Sequence, residues 1–268
     1  MEASGNSASG RCRPAVCAID KVFERMGGSV DIIPMWNLAI GLLPAVVVLV
    51  IIYRWSLDIR TALWALARML VQLFAVGYVL FYIFDTDNAW LILAVLVVML
   101  SAASWIALGP IREVRTKLYG KAWLSIAVGG GLTLALITQG VLRLEPWFEP
   151  RFVIPLGGMI FANAMNALSI SAERFFAETS GGAEYLAARQ TALRAALIPL
   201  TNSLLAVGIV SLPGMMTGQI FSGVDPLVAA TYQIMVMGMV FGSGGISAAC
   251  FLMLLKPVLV QPRADVSD

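Results

Sequence analysis

Asn163, Asn166, Ser169 and Glu173 follow one another at helical spacing, which at 100° per residue places all four within about a third of a helix circumference. Amides, a hydroxyl and a carboxylate on one face offer oxygen ligands to a hard cation or hydrogen bonds to a polar solute. Polar side chains on an apolar helix also join helices by hydrogen bonds worth about 1 kcal/mol each. The stripe therefore reads either as the wall of a pathway or as helix glue. Asn202, within Thr201-Asn202-Ser203, puts a second polar cluster in a later apolar stretch.

Two further groups stand out. The segment "SLPGMMTGQIFSGVDP", Ser211 to Pro226, breaks two very apolar stretches with prolines, glycines and an aspartate. Backbone bent back near a membrane surface is tolerated only where protein or a water-filled cavity satisfies its amides and carbonyls. Pro213, Met215, Met216 and Gln219 are thus candidates for an outer gate, the plainer alternative being a kinked helix end and a tight turn. From Glu184 to Ala196 the pattern suggests an amphipathic helix with Arg189 and Arg194 on polar positions. Such a helix lies at the cytoplasmic surface, where it meets a soluble partner or anionic headgroups.

Other chemistry is excluded. There is no histidine, and no HExxH or GxSxG motif, so the chain shows no catalytic residues and no cofactor site of its own. Gly120-Lys121 lacks the upstream glycine of a phosphate-binding loop and is followed by Ala122. Any energy from ATP must come from another subunit. Of the three cysteines, Cys12 and Cys17 lie in a polar tail without a metal-ligand pattern, and Cys250 stands alone. Met235 and Met239 share a helix face, and without Cys or His beside them they read as flexible packing. Gly238 and Gly242 form a GxxxG pattern suited to close helix contact, a dimer seam among the options.

These residues must be positioned by membrane helices. The chain of 268 residues is 59% hydrophobic and 13% charged, with a mean hydropathy of +0.86. Continuous, non-alternating runs long enough to cross about 30 Å of hydrocarbon predict an all-α polytopic bundle. About seven spans are predicted: Trp36–Tyr53, Thr61–Phe84, Ala89–Leu108, Ala122–Leu142, Arg151–Ser171, Ala196–Leu212 and Pro226–Leu255. Residues 1–35 form a polar N-terminal tail, and 36–260 a transmembrane domain containing a cytoplasmic segment at 173–196. Arg112, Arg115, Lys117 and Lys121, then Arg174, Arg189 and Arg194, then Lys256 and Arg263 fall on one side. The opposite side carries only Arg143 and Arg151 plus the four basic residues of the tail, whose acids balance them, which predicts the N-terminus outside and the C-terminus inside; without insertion of the first span, six spans and a cytoplasmic tail remain.

Three stretches, "RMLVQLFAVGYVLFYIF", "RFVIPLGGMIFANAMNALS" and "VGIVSLPGMMTGQIFSGVDPLVAATYQIMVM", resemble the FetB-like permeases of ABC transporters, which include bacterial iron-export and plant aluminium-tolerance permeases. The likeness covers about residues 36 to 255. It implies a permease subunit, working as a homodimer in lipid with no nucleic-acid partner, and most simply in a bacterial inner (cytoplasmic) membrane. It implies a separate ABC ATPase subunit carrying ATP and Mg, and export of iron or another metal ion. On that resemblance Asn163, Asn166, Ser169, Glu173 and Asn202 become pathway candidates. Glu184, Arg189 and Arg194 become candidates for docking the ATPase. A sugar nucleotide as cargo, or a non-transporting membrane scaffold, are the alternatives.

Overall fold

The computed structural model describes residues 35–56, 58–83 and 88–256. The cysteines of the tail lie outside them. The described residues fall into two compact units, one running through Ala75 and including Gly214–Ala229, the other comprising Val76–Pro213 and the chain from Ala230 onward. Apart from an isolated bridge between Val207 and Ser211, the regular structure among the described residues is helical. The architecture is a helical membrane bundle, as the sequence predicts.

In the first unit the predicted opening span is broken into α1 (Met35–Gly41) and α2 (Leu43–Arg54), with Pro44 in the first turn of α2 where its missing N–H costs nothing. The helix α3 (Ile59–Ile83), which belongs to this unit through Ala75, starts at Asp58, whose carboxylate accepts the backbone N–H groups of Arg60 and Thr61 at 3.2 and 3.3 Å. The break-rich segment forms a short helix, α8 (Gly214–Phe221). Beyond it, Asp225 accepts from Leu227 N–H at 2.8 Å and starts α9 (Pro226–Leu254).

The second unit is built on α4 (Ala89–Ala107), α5 (Gly109–Val141), α6 (Pro150–Ser180), α7 (Tyr185–Ala206) and the greater part of α9. Asn88 caps α4 by accepting from Trp90 N–H at 3.0 Å. Arg115 fixes the α4–α5 corner, its guanidinium lying 3.7 Å from the centre of the Trp105 ring while its Nε donates to the Trp105 carbonyl. In its second half α5 widens into two π turns, Ala127–Gly131 and Leu136–Val141. Its first π turn lets Gly129 press against α9: a Cβ built there would sit 2.3 Å from Ser247 Oγ and 2.7 Å from Ser247 N.

Small residues set the packing. Along α7, Ala188, Ala192, Ala196 and Leu200 recur every fourth position and are all buried. Ala167 of α6, Ala196 and Leu200 of α7 and Ala248 of α9 make one core cluster, flanked by Ile170, Leu193, Leu197 and Val240. The carbonyl end of α9 is satisfied by two distant side chains: Lys121 Nζ donates to the Leu254 carbonyl at 2.8 Å and Tyr185 Oη to that of Leu252 at 2.9 Å.

Among the described residues, five helices are long and apolar enough to cross a membrane: α3, α4, α5, α6 and α9. The stretch Ala39–Arg54 is apolar but shorter. The structure revises the sixth span and the segment before it. The amphipathic helix Glu184–Ala196 and the span Ala196–Leu212 are one helix, because nothing between Ala195 and Leu197 interrupts it. It ends earlier than predicted, at Ala206, because Gly208 adopts a positive φ of 84° and Val210 and Ser211 turn their N–H groups back to the Ala206 carbonyl. Likewise α6 runs past Ser171 to Ser180, so Glu173 lies inside a helix.

Candidate functional site

Where α7 stops, the chain turns through Val207–Ser211 and leaves a cavity of about 470 Å³ between α6, α7 and α9. Asn163 contributes from α6, Asn202 and Ser203 from α7, Ser211 and Pro213 from the turn, and Met237 and Val240 from α9. The early stop of α7 is thus what opens the space. Asn163 spends an N–H on its own helix, donating to the Met159 carbonyl at 2.8 Å, and its side-chain oxygen has no protein partner among the described residues. Ser203 Oγ donates to the Pro199 carbonyl at 2.9 Å. The lining thus offers amides, hydroxyls and a thioether but no charge.

A second, more open concavity of about 450 Å³ runs along the exposed side of α7. Gln190, Arg194, Thr201 and Asn202 are its polar members, and Leu193, Leu197 and Ile198 its apolar ones. Asn202 belongs to both spaces. Among the described residues, no three of His, Cys, Asp and Glu converge to hold a metal ion.

The sequence profile described as "Uncharacterised protein family (UPF0014)" matches residues 35–188 and 182–259. The chain belongs to this family. It is 38% identical over 243 residues to the probable iron export permease protein FetB of Escherichia coli K12, covering 82% of this chain and 90% of that one. It is 38% identical over 190 residues to the UPF0014 membrane protein slr1647 of Synechocystis, covering 65% of this chain and 73% of the relative. To the protein ALUMINUM SENSITIVE 3 of Arabidopsis thaliana it is 34% identical over 231 residues, or 79% and 83% of the two chains. No solved structure matches.

In this member of the UPF0014 family the predicted polar stripe divides. Asn163 reaches the cavity, whereas Asn166 and Glu173 are exposed on α6 and Ser169 is half-buried, none of them lining it. The stripe spans about 120° and α7 covers one edge of it. Asn202 and Pro213, predicted for different roles, meet Asn163 in the same space. Met215, Met216 and Gln219 lie on α8 in the first unit, each half-buried, with Gln219 Oε1 buried and lacking a partner among the described residues.

The docking candidates also separate. Glu184 is exposed just ahead of α7 and makes no side-chain cap. Arg189 is half-buried, its guanidinium 5.7 Å from the Tyr185 ring. Arg194 is exposed about 7.5 Å further along the helix, in the groove with Thr201 and Asn202. Sequence reasoning missed Ser211 and Gln190. The signal for Ser211 was Gly208 inside "VGIVS", the residue that ends α7 and swings the serine into the cavity.

Proposed function

We propose that this chain is the membrane-spanning permease subunit of an ABC exporter that moves iron or another metal ion out of the cytosol. Separate ATPase subunits hydrolyse the ATP and hold its magnesium. The likeness to the E. coli probable iron export permease over nine-tenths of that protein supports the class. The observation that carries the site is the uncharged, largely apolar cavity in which the polar Asn163 and Asn202 meet Pro213 at the broken end of α7. Two copies of the chain, with the N-terminus outside and the C-terminus inside a bacterial cytoplasmic membrane, would bring two such cavities to one assembly. The turn between α6 and α7, with Glu184 and Arg189, is the proposed ATPase contact. Closure of the ATPases would rock α7 against α6 and switch access to the cavity.

Export of a sugar nucleotide is the second reading, favoured by a lining of amides and hydroxyls with no acid in it. Both readings are tested by co-expressing the chain with an ABC ATPase and reconstituting the pair in proteoliposomes. Transport and stimulated hydrolysis are expected only with both subunits, and vesicles that move cargo with this chain alone would overturn the class. Replacing two hydrogen-bonding amides, at about 1 kcal/mol each, lowers affinity about tenfold or more. The double variant Asn163→Leu, Asn202→Leu should therefore lose about tenfold or more of transport while still inserting and assembling. Asn166→Leu, outside the cavity, should transport within about twofold of the unmodified chain. Equal losses in both would return Asn163 to helix packing.

A further inference from the structure

The exposed face of α7 carries an arginine that forms no ion pair among the described residues. Arg194 lies near the middle of this 22-residue helix, and the ion pair formed among the described residues is elsewhere, between Arg174 and Glu178 at 2.5 Å. Leu193, Leu197 and Ile198 surround it with hydrocarbon. A guanidinium against apolar walls needs a counter-charge or water. The helix itself is long enough to span a bilayer, yet it is not among those apolar enough to do so. Its polar side must therefore face protein, water or a polar solute rather than lipid tails.

The company Arg194 keeps narrows the choice. Gln190, Thr201 and Asn202 add neutral donors in the same groove, and no carboxylate, thiolate or imidazole joins them. A hard cation binds where carboxylates and carbonyls gather, and a softer one where thiolates or imidazoles do. Neither finds that set here, and Arg194 repels both. A planar guanidinium fork with the Gln190 amide about one turn away, and further amide and hydroxyl donors along the same groove, matches a carboxylate or a phosphate. Asn202 continues the lining into the cavity of Asn163, Ser203 and Ser211, a rise of about 12 Å along α7 from Arg194.

We infer that the α7 groove around Arg194 binds an oxyanion, carboxylate or phosphate, carried by the transported solute. A metal would then leave as an anionic complex and not as a bare cation. This rests on the permease reading above and adds to it the charge of the cargo.

The test uses the full chain in nanodiscs of phosphatidylcholine alone. Isothermal titration is carried out with iron(III) citrate, with citrate, with pyrophosphate and with manganese(II) chloride. Saturable binding of at least one of the three anionic probes is expected, weakened about tenfold or more in Arg194→Gln, partly restored in Arg194→Lys and unchanged in Arg151→Gln, an exposed arginine outside the groove. Citrate against pyrophosphate separates a carboxylate-borne cargo from a phosphate-borne one. Manganese chloride alone should not bind. Should Arg194→Gln fail to fold, Asn202→Asp decides: an acid in the shared lining should weaken the anion and admit manganese.

Anion binding indifferent to both substitutions, or manganese binding to the unmodified chain without any anion, overturns the inference. So does an Arg194 effect seen only when phosphatidylglycerol is in the disc, which would make the site a lipid anchor. Failure of the permease reading looks different. There no ATPase associates, yet anion binding still depends on Arg194. Conversely, ATPase-coupled metal export with no such binding removes this inference alone.

Discussion

Helices α3 and α6 are almost equally apolar over their membrane-length stretches, yet none of that stretch of α3 is buried and half of that of α6 is. One difference is the set of small residues on the packed side of α6. Exposed α3 residues include Trp64, Leu73, Phe74 and Tyr78, whereas α6 sets Gly157, Ala164, Ala167 and Ala172 among the larger Phe161, Leu168 and Phe175 on its packed side. In a bilayer the lipid tails are as apolar as leucine, so hydrophobicity alone gives helices no reason to meet. Small residues let backbones approach closely and gain dispersion contacts. Buried bulky residues such as Phe161 and Phe175 then fill the space beside those close approaches. Hydropathy therefore marks what enters the membrane, and the placing of small residues marks where helices approach closely.

The sharpest way to break this comparison is to add one methyl group at the closest approach. Gly129→Ala would set a Cβ against the Ser247 backbone, which cannot swing aside as a side-chain tip would. Destabilisation of about 1–3 kcal/mol is expected, read as a lower unfolding midpoint in detergent. Gly131→Ala, two residues on with nothing within 4 Å, is the matched control and should leave the midpoint unchanged. An unchanged midpoint for Gly129→Ala would mean that α5 and α9 separate at little cost, and that close packing does not order the second unit.

A smaller effect is expected at the end of α9. Tyr185→Phe removes the hydrogen bond to the Leu252 carbonyl but keeps the ring against Phe175, whose centroid is 5.9 Å away. A loss of about 1 kcal/mol should follow, seen again in the unfolding midpoint. No change would indicate that water satisfies the carbonyl as well as tyrosine does.

Much of this architecture is legible in the sequence, for physical reasons. Long apolar runs located α3, α4, α5, α6 and α9, and costly intramembrane amides pointed to Asn163 and Asn202. The continuity of α7 was hidden because Arg189, Gln190 and Arg194 make its first half look like a surface helix. Its alanines, uninformative to hydropathy, are what sink that half onto α6. Periodicity placed Asn163 and Asn166 on one stripe, but the width of the neighbouring helix decides which of them lines a cavity. No single-helix pattern contains that width.

The gentlest test acts on α3. Leu73 is 65% exposed, so Leu73→Ala removes few contacts made within this chain. Its effect on the unfolding midpoint should fall within about 0.5 kcal/mol, measured in detergent across a range of protein concentrations. A larger loss that shrinks on dilution would show that a second copy covers this side of α3, since dilution strips the intermolecular contact from the unmodified chain as well. The bulky face of α3 would then belong to an oligomer interface and not to lipid.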